Sequence, residues 1–134
     1  MSVTVTTLQQ GSGESPLKGD KIVMHYTGWL KDTSQPENKG KQFDSSIGRG
    51  TFETAIGVGS VIGGWDHGVP TMKVGGKARL EITSDWAYGA RGYPPIIPAR
   101  SDLIFDVELL NFIPAPADQR KPWPANWFDN VTLN

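Results

Sequence analysis

The sequence predicts an α+β domain, an antiparallel sheet of about five strands folded over one short α-helix. Three observations carry that expectation. Several stretches rich in Val, Ile, Thr and Phe alternate in hydrophobicity with the period of a strand. A single stretch, from residue 60 to 72, spaces its apolar residues as one helical face would. Most of the 16 glycines and 10 prolines in the 134 residues fall between these segments, where turns belong.

Val3 to Leu8, rich in Val and Thr, reads as the first strand. Turns follow at Gly11-Ser12-Gly13-Glu14-Ser15-Pro16 and at Lys18-Gly19-Asp20. From Asp20 to Leu30, Ile22, Met24, Tyr26 and Leu30 share one face, while Val23, His25, Thr27 and Trp29 share the other. Both faces are partly apolar, which predicts a central strand. Residues 31–41 contain no apolar side chain and predict an exposed loop, after which Gln42 to Ile47 returns to strand character.

The predicted helix covers Ser60 to Pro70, with Val61, Ile62, Trp65, Val69 and Met72 on one face and Ser60 as its N-cap. Its glycines each weaken a helix by roughly 1 kcal/mol relative to alanine, so it must be short and packed on the sheet. Lys77 to Thr83 alternates again, with Ala78, Leu80 and Ile82 inward. The stretch 84–101 is a long loop carrying aromatics and prolines, and structureless loops of that length are usually functional. Asp102 to Phe112 is the last predicted strand, with Leu103, Phe105, Val107 and Leu109 on one face. Beyond it, four prolines between Pro114 and Pro124 predict an extended, polyproline-like tail that runs on to Trp127-Phe128.

Composition removes several function classes. With no cysteine, disulfides, thiolate nucleophiles and zinc–thiolate sites are excluded, and a cytosolic or nuclear location is expected. His25 and His67 lack neighbouring ligands at metal spacing, so no metal or cofactor is expected. A net charge of -1 with scattered Lys and Arg argues against nucleic acid. No apolar run is long enough to cross a membrane. The start Met1-Ser2-Val3-Thr4 has no basic and apolar leader pattern, so a secretory signal is not expected. Asn130-Val131-Thr132 fits the glycosylation pattern, which is common by chance.

Five blocks, in order, resemble the FK506-binding (FKBP-type) prolyl isomerases: His25-Tyr26-Thr27-Gly28, Phe43-Asp44-Ser45-Ser46, Val61-Ile62-Gly63-Gly64-Trp65, Ala87-Tyr88-Gly89-Ala90, and the run from Leu103 to Leu110. On their own, aromatics such as Tyr26, Phe43, Phe52, Trp65 and Phe105 read as core more readily than as pocket. The resemblance, which runs from about Val3 to Phe112, implies instead a pocket lined by Tyr26, Phe43, Asp44, Phe52, Val61, Ile62, Trp65, Tyr88 and Phe105. Ile97 is then near its rim, Arg49 pairs with Asp44, and Tyr93 lies in the flap beside it.

Under the same resemblance Trp65 is the pocket floor, and the Ile62 N–H and Tyr88 hydroxyl donate to ligand carbonyls. Tyr26, Phe43, Asp44, Trp65, Tyr88 and Phe105 are the expected catalytic set. The implied activity is peptidyl-prolyl cis/trans isomerisation, with X-Pro polypeptides as substrates and tacrolimus- or rapamycin-type macrolides as ligands. The alternative is a binding module that holds a Pro-containing segment without turnover.

The sequence departs from the family pattern in a longer 33–41 loop, a shorter 49–52 stretch, Trp86 in place of the usual Tyr, and Tyr93 in place of a common His. Family members dock onto calcineurin, when drug-bound, through the flap and the region around Arg49, which are the altered places. The expected organisation is an isomerase domain over 1–113 and an extension over 114–134, in a monomer. The extension is expected either to rest its aromatics on the outside of the sheet or to pack its X-Pro bonds or Trp123 onto the domain, in one form across the pocket as a pseudo-substrate.

Overall fold

The computed structural model describes residues 2–134. Seven strands form one sheet: β1 (Val3–Gln9), β2 (Lys21–Lys31), β3 (Lys39–Ser45), β4 (Phe52–Ala55), β5 (Lys77–Ile82), β6 (Leu103–Ile113) and β7 (Val131–Leu133). Their order is β3-β2-β6-β5-β1-β7, with β4 on the β3 side of β2. β2 is central, as its two apolar faces predict. It pairs along its whole length with β6, and on its other edge with β4 through Lys21 to Met24 and with β3 from Thr27 to Lys31.

One face of the sheet holds the core. Ile22 and Met24 of β2, Leu80 and Ile82 of β5, and Leu103 and Leu109 of β6 are fully buried there. Each such side chain contributes roughly 1.5–3 kcal/mol by leaving water. The opposite face carries charge: Arg79 and Lys39 both pair with Asp106, at 2.8 Å each, and Lys39 also sits over the Trp29 ring.

The helix α1 (Gly63–Gly68) is a six-residue segment continued by a 3-10 turn at Val69–Thr71. It is shorter than expected, and Ser60 is not its cap. Ile62 occupies the cap position in an extended conformation, and no side chain caps the helix. The apolar spacing of Val61 and Ile62 reflects a cavity rather than a helical face. Two glycines let α1 lie close to the sheet. A Cβ on Gly64 would stand 2.5 Å from Ile82, and one on Gly68 would stand 3.2 Å from Val3.

Four further expectations are corrected. β3 begins at Lys39 rather than Gln42, because backbone pairing with β2 holds the polar residues Lys39 to Lys41 in the sheet. β4 adds a short strand. The sheet is mixed rather than purely antiparallel, since β7 runs parallel to β1 with Val3 opposite Val131. The tail is neither extended nor draped on the sheet's outer face. Arg120 reaches the fully buried Asp20 at 2.9 Å, and the indole N–H groups of Trp123 and Trp127 donate to the carbonyls of Pro16 and Asp66. Polar groups with such specific buried partners outweigh the local preference of a Pro-rich segment for extension.

Candidate functional site

Strands β2, β3, β4 and β6 and the helix converge on a cavity of about 260 Å³. Its lining is Tyr26, Phe43, Asp44, Phe52, Ser60, Val61, Ile62, Trp65, Tyr88 and Phe105. Alternation explains the strand contributions: Tyr26 follows Ile22 and Met24 inward on β2, and Phe105 lies between Leu103 and Val107 on β6.

Trp65 lies at the centre of an aromatic cage. Its ring meets Tyr26 at 5.0 Å, Phe105 at 5.2 Å and Phe52 at 5.7 Å, all edge-to-face with interplanar angles between 72° and 78°. Phe43 closes the side next to Phe105, at 5.6 Å. Edge-to-face packing locks each ring beyond what burial alone would do. Trp65 Nε1 is buried and has no acceptor among the described residues.

Asp44 is the polar wall. Its Oδ2 accepts the Tyr26 hydroxyl at 2.6 Å, and its Oδ1 accepts the Arg49 guanidinium at 2.6 Å and the Ser45 N–H at 2.9 Å. Burial, reinforced by the Asp44 carboxylate, pushes the Tyr26 phenol up to about 12. Tyr88 is also raised, by burial first and Asp44 second, so both phenols remain donors at neutral pH. Tyr88 stands at the mouth, 38% exposed, with Tyr93 at 5.8 Å.

The segment that brings in Ser60, Val61 and Ile62 is anchored from behind. The Asp66 carboxylate, on α1, accepts the N–H of Gly57 at 2.8 Å and of Gly59 at 3.0 Å. Burial raises Asp66 despite these bonds. The Ile62 N–H precedes the first helical turn, where no intrahelical acceptor exists.

Of the residues expected from sequence, nine line the cavity. Arg49 touches it through Asp44, Tyr93 through Tyr88, and Ile97 is 2% exposed within the core instead of on the lining. Ser60 lines the cavity without having been expected there, and its place beside Val61 was the available signal. No residue of the tail is on the lining, so a pseudo-substrate placement is corrected. Among the described residues no cluster of His, Asp or Glu could hold a metal ion.

Residues 12–110 match the sequence profile of the FKBP-type peptidyl-prolyl cis-trans isomerases. The chain belongs to the FKBP family. FKBP relatives include FK506-binding protein 1B of Neurospora crassa, 56% identical over 109 residues that cover 81% of this chain and 96% of that one. FK506-binding protein 1 of Gibberella zeae has the same identity and coverage. A protein named peptidyl-prolyl cis-trans isomerase in Schizosaccharomyces pombe is 51% identical over 112 residues, 82% of this chain and 94% of its own. The cage around Trp65 falls inside the FKBP match; the docked segment after Ile113 falls outside it.

Proposed function

We propose that this FKBP rotates X-Pro bonds in the cavity over Trp65, with the pyrrolidine ring on the indole and the preceding carbonyl turning against the aromatic wall. The chain is a peptidyl-prolyl cis/trans isomerase, and the same cavity takes tacrolimus- and rapamycin-type macrolides. Family membership supports both statements.

The barrier to C–N rotation is roughly 18–20 kcal/mol, and X-Pro isomers exchange over tens to hundreds of seconds without help. No bond to carbon is made or broken, so neither a nucleophile nor a proton acceptor is required. The planar amide is stabilised by charge separation that water solvates. A dry aromatic cavity withholds that solvation, while the twisted amide, with less charge separation, loses little. Donors placed for the twisted form, the Ile62 N–H and the Tyr88 hydroxyl, widen the difference, and each ~1.4 kcal/mol of it is tenfold in rate.

The observation that carries this assignment is the edge-to-face cage around Trp65 beside a carboxylate with both oxygens already engaged. Asp44 holds Tyr26 and Arg49 in place; it does not move a proton. Exposed side chains around the mouth, Arg49, Tyr93 and Ile96, form the surface that a calcineurin-type partner of the drug complex would cover. A cytosolic location fits the lack of cysteine.

The test is cis-to-trans exchange of a Leu-Pro peptide with and without tacrolimus, in parallel with Tyr88→Phe and Trp65→Ala. Catalysis abolished by the drug and weakened in both variants is expected. Full activity in both would overturn the residue assignment, and drug binding without catalysis would make the chain a binding module.

A further inference from the structure

The tail after Ile113 makes contacts that reach both walls of the cavity from behind. Four rings form a column across the back of α1: Trp123 to Trp127 at 5.1 Å, Trp127 to His67 at 4.0 Å and 11°, and His67 to Trp86 at 4.5 Å. Hydrogen bonds fix its middle. The Trp127 indole N–H donates to the Asp66 carbonyl at 3.1 Å, and His67 Nδ1 lies 2.7 Å from the Trp127 carbonyl oxygen.

Each end of the column meets a segment that carries lining residues. The Trp123 ring lies against Gly57, whose φ of +83° and missing side chain make room for it; a Cβ there would be 2.5 Å from the indole. Gly57 begins the segment that continues through Ser60 to Val61 and Ile62. At the other end Trp86 packs 3.6 Å from the Cβ position of Gly63 and stands two residues before Tyr88. The helix between them carries Trp65.

We propose that Trp127 is a positioning residue for the X-Pro and macrolide site, acting with Trp123 to hold the 57–62 wall and the Tyr88 wall at a fixed span across α1. The inference rests on the isomerase reading of the cavity. It assigns a task to a segment outside the family match. Small displacements of reacting groups reduce rate steeply, up to about a hundredfold for about 1 Å, so loosening one buttress is expected to cost about tenfold.

The experiment compares the full chain with Trp127→Ala, Trp127→Phe and Thr132→Pro. The last removes a ladder hydrogen bond of β7, a strand that contributes no ring to the column. Tacrolimus affinity, kcat/KM on Leu-Pro and Ala-Pro peptides, amide exchange at Gly57, Gly59 and Ile62, and the melting temperature are measured for each. Trp127→Ala is expected to weaken tacrolimus binding about tenfold and to speed exchange at Gly57 and Gly59. Trp127→Phe, which keeps a ring on His67, restores most of both. Thr132→Pro lowers the melting temperature and leaves affinity and exchange unchanged.

A Trp127→Ala protein that is folded at the assay temperature with full affinity and native exchange overturns the proposal. So does a Thr132→Pro protein with an equal loss of affinity, since the effect would then be general destabilisation. Should Trp127→Ala fail to fold, His67→Ala breaks the column at its middle and is judged by the same criteria. If the unaltered chain shows neither catalysis nor drug binding, the isomerase reading fails, while the exchange comparison still decides the coupling.

Discussion

The hydroxyl of Tyr26 donates to Oδ2 of Asp44 at 2.6 Å, while Arg49 and the Ser45 N–H occupy Oδ1. A carboxylate bound on both oxygens is a scaffold for its neighbours and a poor candidate for accepting a substrate proton.

Asp44→Asn is therefore expected to reduce kcat/KM by less than about tenfold, by loosening Tyr26 and Arg49. Loss of a general base would cost roughly a hundredfold or more. Peptide isomerisation kinetics measure the difference directly, and a loss in the larger range would mean that proton transfer is part of the reaction.

Tyr26 makes the alkaline limb informative. Its folded pKa, about 12, lies above the ordinary phenol value of about 10. The neutral form is favoured in the folded state, so this contribution is complete below pH ~10 and is lost as pH rises toward ~12. Phenolate absorbance is expected to show one step well above the ordinary phenol range that Tyr26→Phe removes, with turnover retained to about pH 10. Early ionisation of Tyr26 would contradict the bond to Asp44.

The Asp20–Arg120 pair ties the tail to the domain and sets an acid limit. Burial acts upward on Asp20, but the Arg120 guanidinium and the N–H groups of Ala115 and Leu17 outweigh it and hold the carboxyl below its ordinary range. A depressed folded pKa gives stability that is present above the unfolded value near 3.9 and lost as pH falls through the folded one. Arg120→Met is expected to cost about 3 kcal/mol at pH 7, because it leaves a buried carboxylate without its countercharge. Urea midpoints between pH 3 and 7 would also show the variant losing less on acidification than the parent chain.

Gly64→Ala sets two effects against each other. Alanine gains about 1 kcal/mol of helix propensity, but its Cβ would stand 2.5 Å from Ile82, and overpacking costs roughly 1–3 kcal/mol. A net loss of about 1 kcal/mol is expected, with part of it recovered by adding Ile82→Val; a stabilised single variant would show that α1 can move off the sheet.

The parts of the fold that were legible in the sequence are those whose pattern is local. Alternation along β2, β5 and β6 found these strands, because one side chain in two faces the core, and Val/Thr richness found β1. β4 escaped because Phe52–Ala55 is only four residues between glycine turns, and its strand state depends on pairing with β2. β7 escaped for the same reason, its partner lying more than a hundred residues away.

The helix start was misplaced because Val61 and Ile62 are apolar for the sake of the cavity. Apart from Phe52 and Ser60, the lining was legible through motif blocks, and the resemblance also implied the contact of Asp44 with Tyr26 and Arg49. Of the tail's docking only the packing of Trp123 on the domain was among the alternatives, since no periodicity announces that Arg120 will find Asp20 or that Trp127 will stack on His67.

The pairing of Val3 with Val131 has a consequence in time. Closing a loop of that length costs only ~0.6 kcal/mol more per doubling, so it is affordable at equilibrium, yet contacts so distant in sequence are slow to find one another. The antiparallel ladders from β1 through β6 leave the outer edge of β1 unpaired, and β7 is the strand that covers it. Any extended segment nearby could compete for that edge before β7 is seated, and β7, once in place, ends the competition.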